Sequence, residues 1–254
     1  MKPPDKKFLD SLYDKYNDRK YVHPDPLEFL YNYDKPCERE VAGLIAASLA
    51  YGQVRQILKS VAFVLDKLGP SPSDFLKSAD SNYIHSVFSS FKHRFTTGFE
   101  LAELLLNIGR VLKKFGSLNE CFISGYDKDK EMLPAILNFI KELRMGKCEC
   151  YNSLVPMPTG KCAYKRINLY LRWMVRKDNV DLGCWDNIAV NKLIVPLDIH
   201  MHRVCLGYGF TERKQADMAT ALQVTEYLKK YDPNDPVKYD FALTRPGIHA
   251  SNKK

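Results

Sequence analysis

The stretch Phe99-Glu-Leu-Ala-Glu-Leu-Leu-Leu-Asn-Ile-Gly-Arg-Val-Leu-Lys-Lys-Phe115 carries the strongest periodicity in the chain. Leu101, Leu104, Leu105, Ile108, Val111, Leu112 and Phe115 recur at intervals of three and four, which puts them on one face of a helix, and Gly116 follows as a stop. Working outward, the same spacing returns. Glu131 to Leu143 repeats it with Leu133, Ile136, Leu137, Ile140 and Leu143. Gln53 to Leu68 does so with Val54, Ile57, Val61, Val64, Leu65 and Leu68 before Gly69-Pro70. Glu38 to Tyr51 is apolar or small nearly all round (Val41, Leu44, Ile45, Ala46, Ala47, Leu49, Ala50), which predicts a central helix packed on several sides.

Weaker patterns predict helices over Lys6 to Tyr16, Ser73 to Ser78, Asn82 to Lys92 and Ala216 to Tyr231. Asp198 to Tyr208 starts at an Asp suited to an N-cap, and Asp235-Pro236 reads as an N-cap and first helical residue launching Val237 to Thr244. No segment makes a convincing strand, and no repeat or low-complexity linker appears. The spacing therefore predicts an all-α protein: one compact unit, or two interleaved lobes spanning about 38–150 and 1–37 plus 151–254.

Charge singles out another stretch. Between Arg144 and Lys177 lie eight basic residues (Arg144, Lys147, Lys161, Lys165, Arg166, Arg172, Arg176, Lys177) and one acid, Glu149, in a chain whose formal net charge is +8. So local an excess suggests an electrostatic footprint for a polyanion, against the plainer alternative of a solvated helix face. Pro156-Met157-Pro158-Thr159-Gly160 runs into the basic helix predicted over 161–176, and a helix start offers unpaired N–H groups to a phosphate. Tyr170 and Trp173 interleave the charges, but aromatics at helical spacing favour a core position.

The 254 residues, 45% of them apolar, suffice for a sizeable core. Met-Lys-Pro-Pro-Asp-Lys-Lys is followed by no apolar run, so no signal peptide is expected, and Val41 to Tyr51 is too short to span a bilayer. The seven cysteines, odd in number and irregularly spaced, suggest reduced thiols in a cytoplasm. Cys148-Glu149-Cys150 with Cys162 lacks both the Cys-x-x-Cys spacing and a fourth ligand, so no metal is expected.

Lys165-Arg166-Ile167-Asn168 after a glycine turn, followed by Val195-Pro196-Leu197-Asp198-Ile199-His200-Met201-His202-Arg203, resembles the helix-hairpin-helix DNA glycosylases, the superfamily of endonuclease III and the 8-oxoguanine glycosylases. The whole chain further resembles a mostly bacterial family related to that superfamily. The phrases that carry this second likeness are Lys-Arg-x-Asn-x-x-x-Arg-Trp-Met-Val-Arg-Lys (165–177), Pro-Leu-Asp-x-His and Lys-Tyr-Asp-Phe-Ala-Leu (238–243). The resemblance implies two helical lobes with a cleft between them and a base-excision enzyme, bifunctional as glycosylase and β-lyase. It implies Lys165 as nucleophile and Asp198 as its carboxylate partner. It assigns DNA contacts to Gly160, Lys161, Arg166, Arg172, Arg176, His200 and Arg203, and to Gln53 in Tyr51-Gly52-Gln53, which resembles the loop that probes the base stack. The implied partner is double-stranded DNA with a flipped damaged base, bound by a monomer in the cytoplasm and at the nucleoid. An oxidised purine such as 8-oxoguanine is the favoured substrate, because Pro-Leu-Asp and the Lys-to-Asp spacing resemble archaeal 8-oxoguanine enzymes.

The sequence departs from that superfamily in two places. Pro156-Met157-Pro158-Thr159-Gly160 replaces the Leu-Pro-Gly-Val-Gly hairpin, where the carbonyls would hold a monovalent cation, and Lys165 comes five residues after its glycine rather than two. The iron–sulfur cysteines of endonuclease III are absent, so no cluster is expected. In the reaction that the resemblance implies, base removal leaves positive charge developing on the sugar, which a carboxylate such as Asp198 stabilises, although Asp198 taken alone reads as an ordinary helix N-cap. A lysine attacks C1′ as the free amine, a form favoured by a buried stem and cationic neighbours, which Arg166, Arg172 and Arg176 would supply. Two other classes compete. Val195 to His202 also reads as an apolar strand ending in Asp-x-His-x-His, the start of a metal-dependent hydrolase using Asp198, His200 and His202. The same fold also serves as a non-catalytic DNA-binding protein, with Lys165 and Asp198 in structural roles.

Overall fold

Apolar spacing of three and four residues becomes helix almost everywhere it occurs. The computed structural model describes residues 3–126, 131–145, 151–159 and 162–251; among them lie twelve α-helices, three 3₁₀ segments and one pair of two-residue strands. None of the described helices is long and apolar enough to cross a membrane. The chain divides into two units: Pro24–Thr159 forms a middle unit, while Met1–His23 and Gly160–Lys254 together form a terminal unit.

Helix α1 (Lys6–Tyr16) belongs to the terminal unit. The middle unit then runs through α2 (Pro36–Ser48), α3 (Val54–Leu68), α4 (Pro72–Ser78) and α5 (Ser81–Phe88) to the hairpin strands β1 (Lys92–His93) and β2 (Thr96–Thr97), and on through α6 (Gly98–Phe115), α7 (Leu118–Tyr126) and α8 (Met132–Arg144). Its axis is α2, whose residues from Val41 to Ser48 are all buried. Two acids are buried with them. Glu38 Oε2 accepts the Ser73 N–H of α4 at 2.7 Å, and Glu40 Oε2 accepts the Leu118 N–H of α7 at 2.9 Å. Each carboxylate thus satisfies an orphan donor at another helix's start, where the dipole favours negative charge.

The strong helix α6 begins in a capping box. Thr97 Oγ1 accepts the Glu100 N–H, and Glu100 Oε2 accepts the Thr97 N–H at 2.8 Å. At Gly109 the backbone of α4 comes so close that an added Cβ would lie 2.3 Å from the Leu76 carbonyl oxygen. The helix expected over 82–92 stops at Phe88 because Lys92 pairs with Thr97 in the hairpin. Helix α7 escapes the sequence reading: Glu120, Ser124 and Gly125 break its apolar rhythm, and while Ser117 Oγ caps the Glu120 N–H at 3.0 Å, the first N–H of the helix is satisfied from α2.

The terminal unit contains α9 (Lys165–Val175), α10 (Ile199–Gly207), α11 (Met218–Leu228) and α12 (Asp240–Ser251), and α1 packs on α12. Trp173 and Trp185 are buried in its core, and Tyr170 meets Trp185 edge-on at 5.4 Å. The two ends of the chain are tied by Tyr231 Oη donating to the Pro4 carbonyl at 2.8 Å and Tyr239 Oη donating to Asp10 at 2.7 Å. The C-terminal helix begins at Asp240, after a turn, and not at Val237. Asp235, expected to cap it, instead accepts Arg176 Nε at 2.8 Å.

Candidate active site

The predicted pair comes together in the terminal unit. Tyr164 adopts a left-handed φ of 45°, which no helix can continue through, so α9 starts at Lys165 and not at residue 161. Asp198 is the N-cap of α10, its Oδ1 accepting the Met201 N–H at 2.7 Å. Two helix starts therefore face each other, with Lys165 Nζ 3.8 Å from Asp198 Oδ2. The side chains are 26% and 41% exposed, open enough to meet a ligand. Exposed Ile199 follows Asp198, and half-buried Arg166 follows Lys165. An amine, a carboxylate and the positive ends of two helices in one place suit an anionic ligand that is attacked by a nucleophile.

Arg172 and Arg176 require a correction: neither reaches a phosphate. Both are 4% exposed and sit in a buried network of carboxylates. Arg172 grips Asp181 with Nε at 3.2 and 3.1 Å and Nη2 at 2.9 Å, and donates from Nη1 to Asp240 at 2.5 Å. Arg176 donates to Asp235, to Asp181 at 2.9 Å, and to Asp178. A guanidinium driven inside by its apolar stem demands such partners, because an unpaired buried charge is prohibitively costly. Two guanidiniums face four carboxylates, so the acids cannot all be held low. Burial pushes Asp178 up, but the Arg176 charge and the N–H groups of Asp181 and Val180 outweigh it and hold its carboxyl below the usual range. Burial wins at Asp240 and Asp235, whose carboxyls are pushed up against the pull of Arg172 and Arg176; the nearby charge of Asp198 adds to the rise at Asp240.

The charge excess between Arg144 and Lys177 is therefore a weaker footprint than its count suggests. Two of its eight cations are neutralised internally by acids that lie outside the stretch, and Lys147, Gly160 and Lys161 fall outside the described residues. Lys177 and Arg203 are exposed. Gln53 lies in the middle unit, exposed at the start of α3, and makes no side-chain cap bond. Tyr170 and Trp173 belong to the core.

Residues 193–198, where the hydrolase reading requires a strand, form an irregular segment that leads into α10. His200 is exposed, whereas His202 is buried and donates Nε2–H to the Arg213 carbonyl at 2.7 Å, so the two imidazoles do not share a face. Among the described residues no cluster of three or more His, Cys, Asp or Glu side chains has a metal-binding arrangement, while Cys148 and Cys150 fall outside them.

Two supporting residues were unassigned at the sequence level. Asn168 is buried and donates Nδ2–H to the Ala163 carbonyl at 2.9 Å, which pins the loop that delivers Lys165 to the helix start. Asp240 joins Arg172 from the other end of the sequence. Both belong to phrases already singled out, Lys-Arg-x-Asn and Lys-Tyr-Asp-Phe-Ala-Leu, and the Arg172–Asp240 bond shows that the latter phrase and the basic helix form one structural unit.

Neither a curated protein nor a solved structure matches the chain. A family model described as "Protein of unknown function (DUF2400)" matches residues 25–249, which span α2 to α11 and nearly all of α12. On that coverage the chain belongs to the DUF2400 family.

Proposed function

We propose that the protein excises a damaged base from double-stranded DNA, with Lys165 as the nucleophile and Asp198 as its electrostatic partner. The observation that carries this reading is the 3.8 Å approach of Lys165 Nζ to Asp198 Oδ2 at two helix starts, in a unit whose neighbouring guanidiniums are locked inside. The resemblance to helix-hairpin-helix glycosylases supplies the reaction class, and an oxidised purine is the substrate it favours.

In this reading the lysine ammonium loses its proton to solvent, while Asp198 stays ionised and stabilises the positive charge that develops on the sugar. The freed amine attacks C1′. The C1′–N bond to the base breaks, and its electron pair leaves with the base, which is then protonated. Opening of the sugar ring leaves a C1′ iminium linked to Lys165. Loss of a C2′ proton then expels the 3′-phosphate and nicks the strand.

Borohydride reduces such an iminium to a stable amine, so trapping on duplexes carrying 8-oxoguanine, uracil, thymine glycol or an abasic site tests the proposal. Wild type is expected to form an adduct that Lys165→Gln abolishes, and Asp198→Asn to slow excision by about 100-fold. An adduct that survives in Lys165→Gln refutes the assignment. The cap bond from Met201 to Asp198 is what any structural Asp would make, and it favours the second reading, a non-catalytic DNA-binding protein. Salt-steep duplex binding with no adduct on any substrate would establish that alternative.

A further inference from the structure

The middle unit carries an aromatic surface, beside the Tyr51-Gly52-Gln53 loop to which the resemblance assigns a DNA contact, whose rings have no part in the chemistry at Lys165 and Asp198. His93 pairs with Thr96 across the hairpin, which leaves Arg94 and Phe95 as a two-residue tip. Phe95 stacks on Tyr51 with 5.2 Å between ring centroids and 28° between planes, yet it is 64% exposed. One ring face is thus supported from behind while the rest meets solvent.

The base of the hairpin is rigid. His93 and Thr96 are fully buried; His93 bonds Ser60 Oγ at 2.9 Å through Nδ1 and the Tyr51 carbonyl at 3.0 Å through Nε2, while Thr96 Oγ1 lies 2.5 Å from Ser153 Oγ. Arg94 is held at a φ of 56°, left-handed backbone that arginine adopts only where its surroundings impose it. Gly52, itself at φ 97°, makes room: a Cβ there would lie 2.6 Å from Arg94 Cδ, so the arginine stem can pass over the Tyr51-Gly52-Gln53 loop.

Charge identifies the partner. The sequence contains no acid between Glu40 and Asp66 or between Asp80 and Glu100, the two stretches that build this surface. Arg55 and Lys59 stand one turn apart on α3, against which β1 packs, and with Lys92 and Arg94 they make four exposed cations on the hairpin and its supporting helix. A supported aromatic face on a surface that carries cations and no acids is the chemistry that takes an unpaired base and its flanking phosphates. Inside a duplex both faces of each base are already stacked, so a paired strand offers Phe95 nothing to cover.

We propose that the Arg94-Phe95 tip binds an unpaired nucleotide of single-stranded DNA, with Phe95 stacking on the base and Arg55, Lys59, Lys92 and Arg94 meeting the phosphates. The proposal goes beyond the excision reading and does not depend on it. Lys165 lies in the other unit, so borohydride trapping and this binding succeed or fail separately.

Fluorescence anisotropy of the full-length protein tests it, using a labelled oligothymidine of about ten nucleotides and a blunt duplex of the same length in ~50 mM salt. The single strand is expected to bind more tightly than the duplex. Phe95→Ala should weaken that binding about tenfold and Phe95→Trp should retain it, while Phe99→Ala, at an exposed aromatic on α6, should leave it unchanged. Where Phe95→Ala alters the thermal melt, Phe95→Leu, which keeps the apolar contact without a ring, decides instead. Equal affinity of wild type and the ringless variant for the single strand overturns the proposal, as does a preference for the duplex or no binding at all.

Discussion

At the scale of single residues, the terminal unit is organised by Arg172. Its guanidinium is shared between Asp181, close in sequence, and Asp240, far from it, and all three are buried. Arg172→Ala should leave Asp240 buried without its cation and Asp181 with Arg176 alone, and cost about 3–5 kcal/mol, read as a shift of the denaturant midpoint. Arg172→Lys should recover only part of this, because an ammonium cannot grip Asp181 in the same forked geometry. Asp178 gives the network a pH signature. Its carboxyl is held below the ordinary value, so its contribution is fully present above the unfolded pKa of about 4 and fades as pH falls through the lower folded value. Asp178→Asn should therefore be destabilising at neutral pH, and its deficit relative to wild type should shrink below about pH 4. Unfolding free energies at a series of pH values would show this convergence, and a constant deficit would contradict it.

Between elements, the middle unit is fastened by contacts from one helix to the start of another. Glu38 and Glu40 reach from α2 to the first turns of α4 and α7, so removing either orphans a buried N–H group. Glu40→Ala should cost about 1–3 kcal/mol, with hydrogen exchange quickening first around Leu118. The crossing of α4 and α6 depends on the missing side chain at Gly109, where a Cβ would meet a carbonyl oxygen and not a flexible side chain. Gly109→Ala should cost about 1–3 kcal/mol despite the better helix propensity of alanine, and a stabilised variant in thermal melts would show that α4 can shift.

For the whole molecule, the consequential feature is that the two ends of the chain build one unit. Helix α1 lies before the residues matched by the family model, yet it packs on α12 and bonds the segment from Tyr231 to Tyr239. Deleting residues 1–16 should raise hydrogen exchange through 165–251 while leaving α2 to α8 protected. Uniform loss of protection would mean that the units do not unfold separately. Charge acts at this scale too, and it is the least faithful guide to function. The cations counted between Arg144 and Lys177 include two that are buried against acids outside the stretch, Asp178 and Asp181 just beyond it and Asp235 and Asp240 dozens of residues away.

The helical class was legible in the sequence because the apolar spacing at 99–115, 54–68 and 131–143 is a local property, set by which residues share a face whatever lies opposite. Asp198 as a helix cap was legible for the same reason. Only tertiary structure decided what non-local partners determine. A short helix at Leu118–Tyr126 draws its first hydrogen bond from Glu40, and a two-residue hairpin cuts α5 short. Asp235 binds Arg176 in place of capping a helix. Arg172 and Arg176, on the same face as Lys165 by helical spacing, turn away from solvent because carboxylates brought from beyond the helix are there to receive them. Whether a charged side chain meets a ligand or its own protein depends on desolvation and on the partner's position, and the order of residues encodes neither locally.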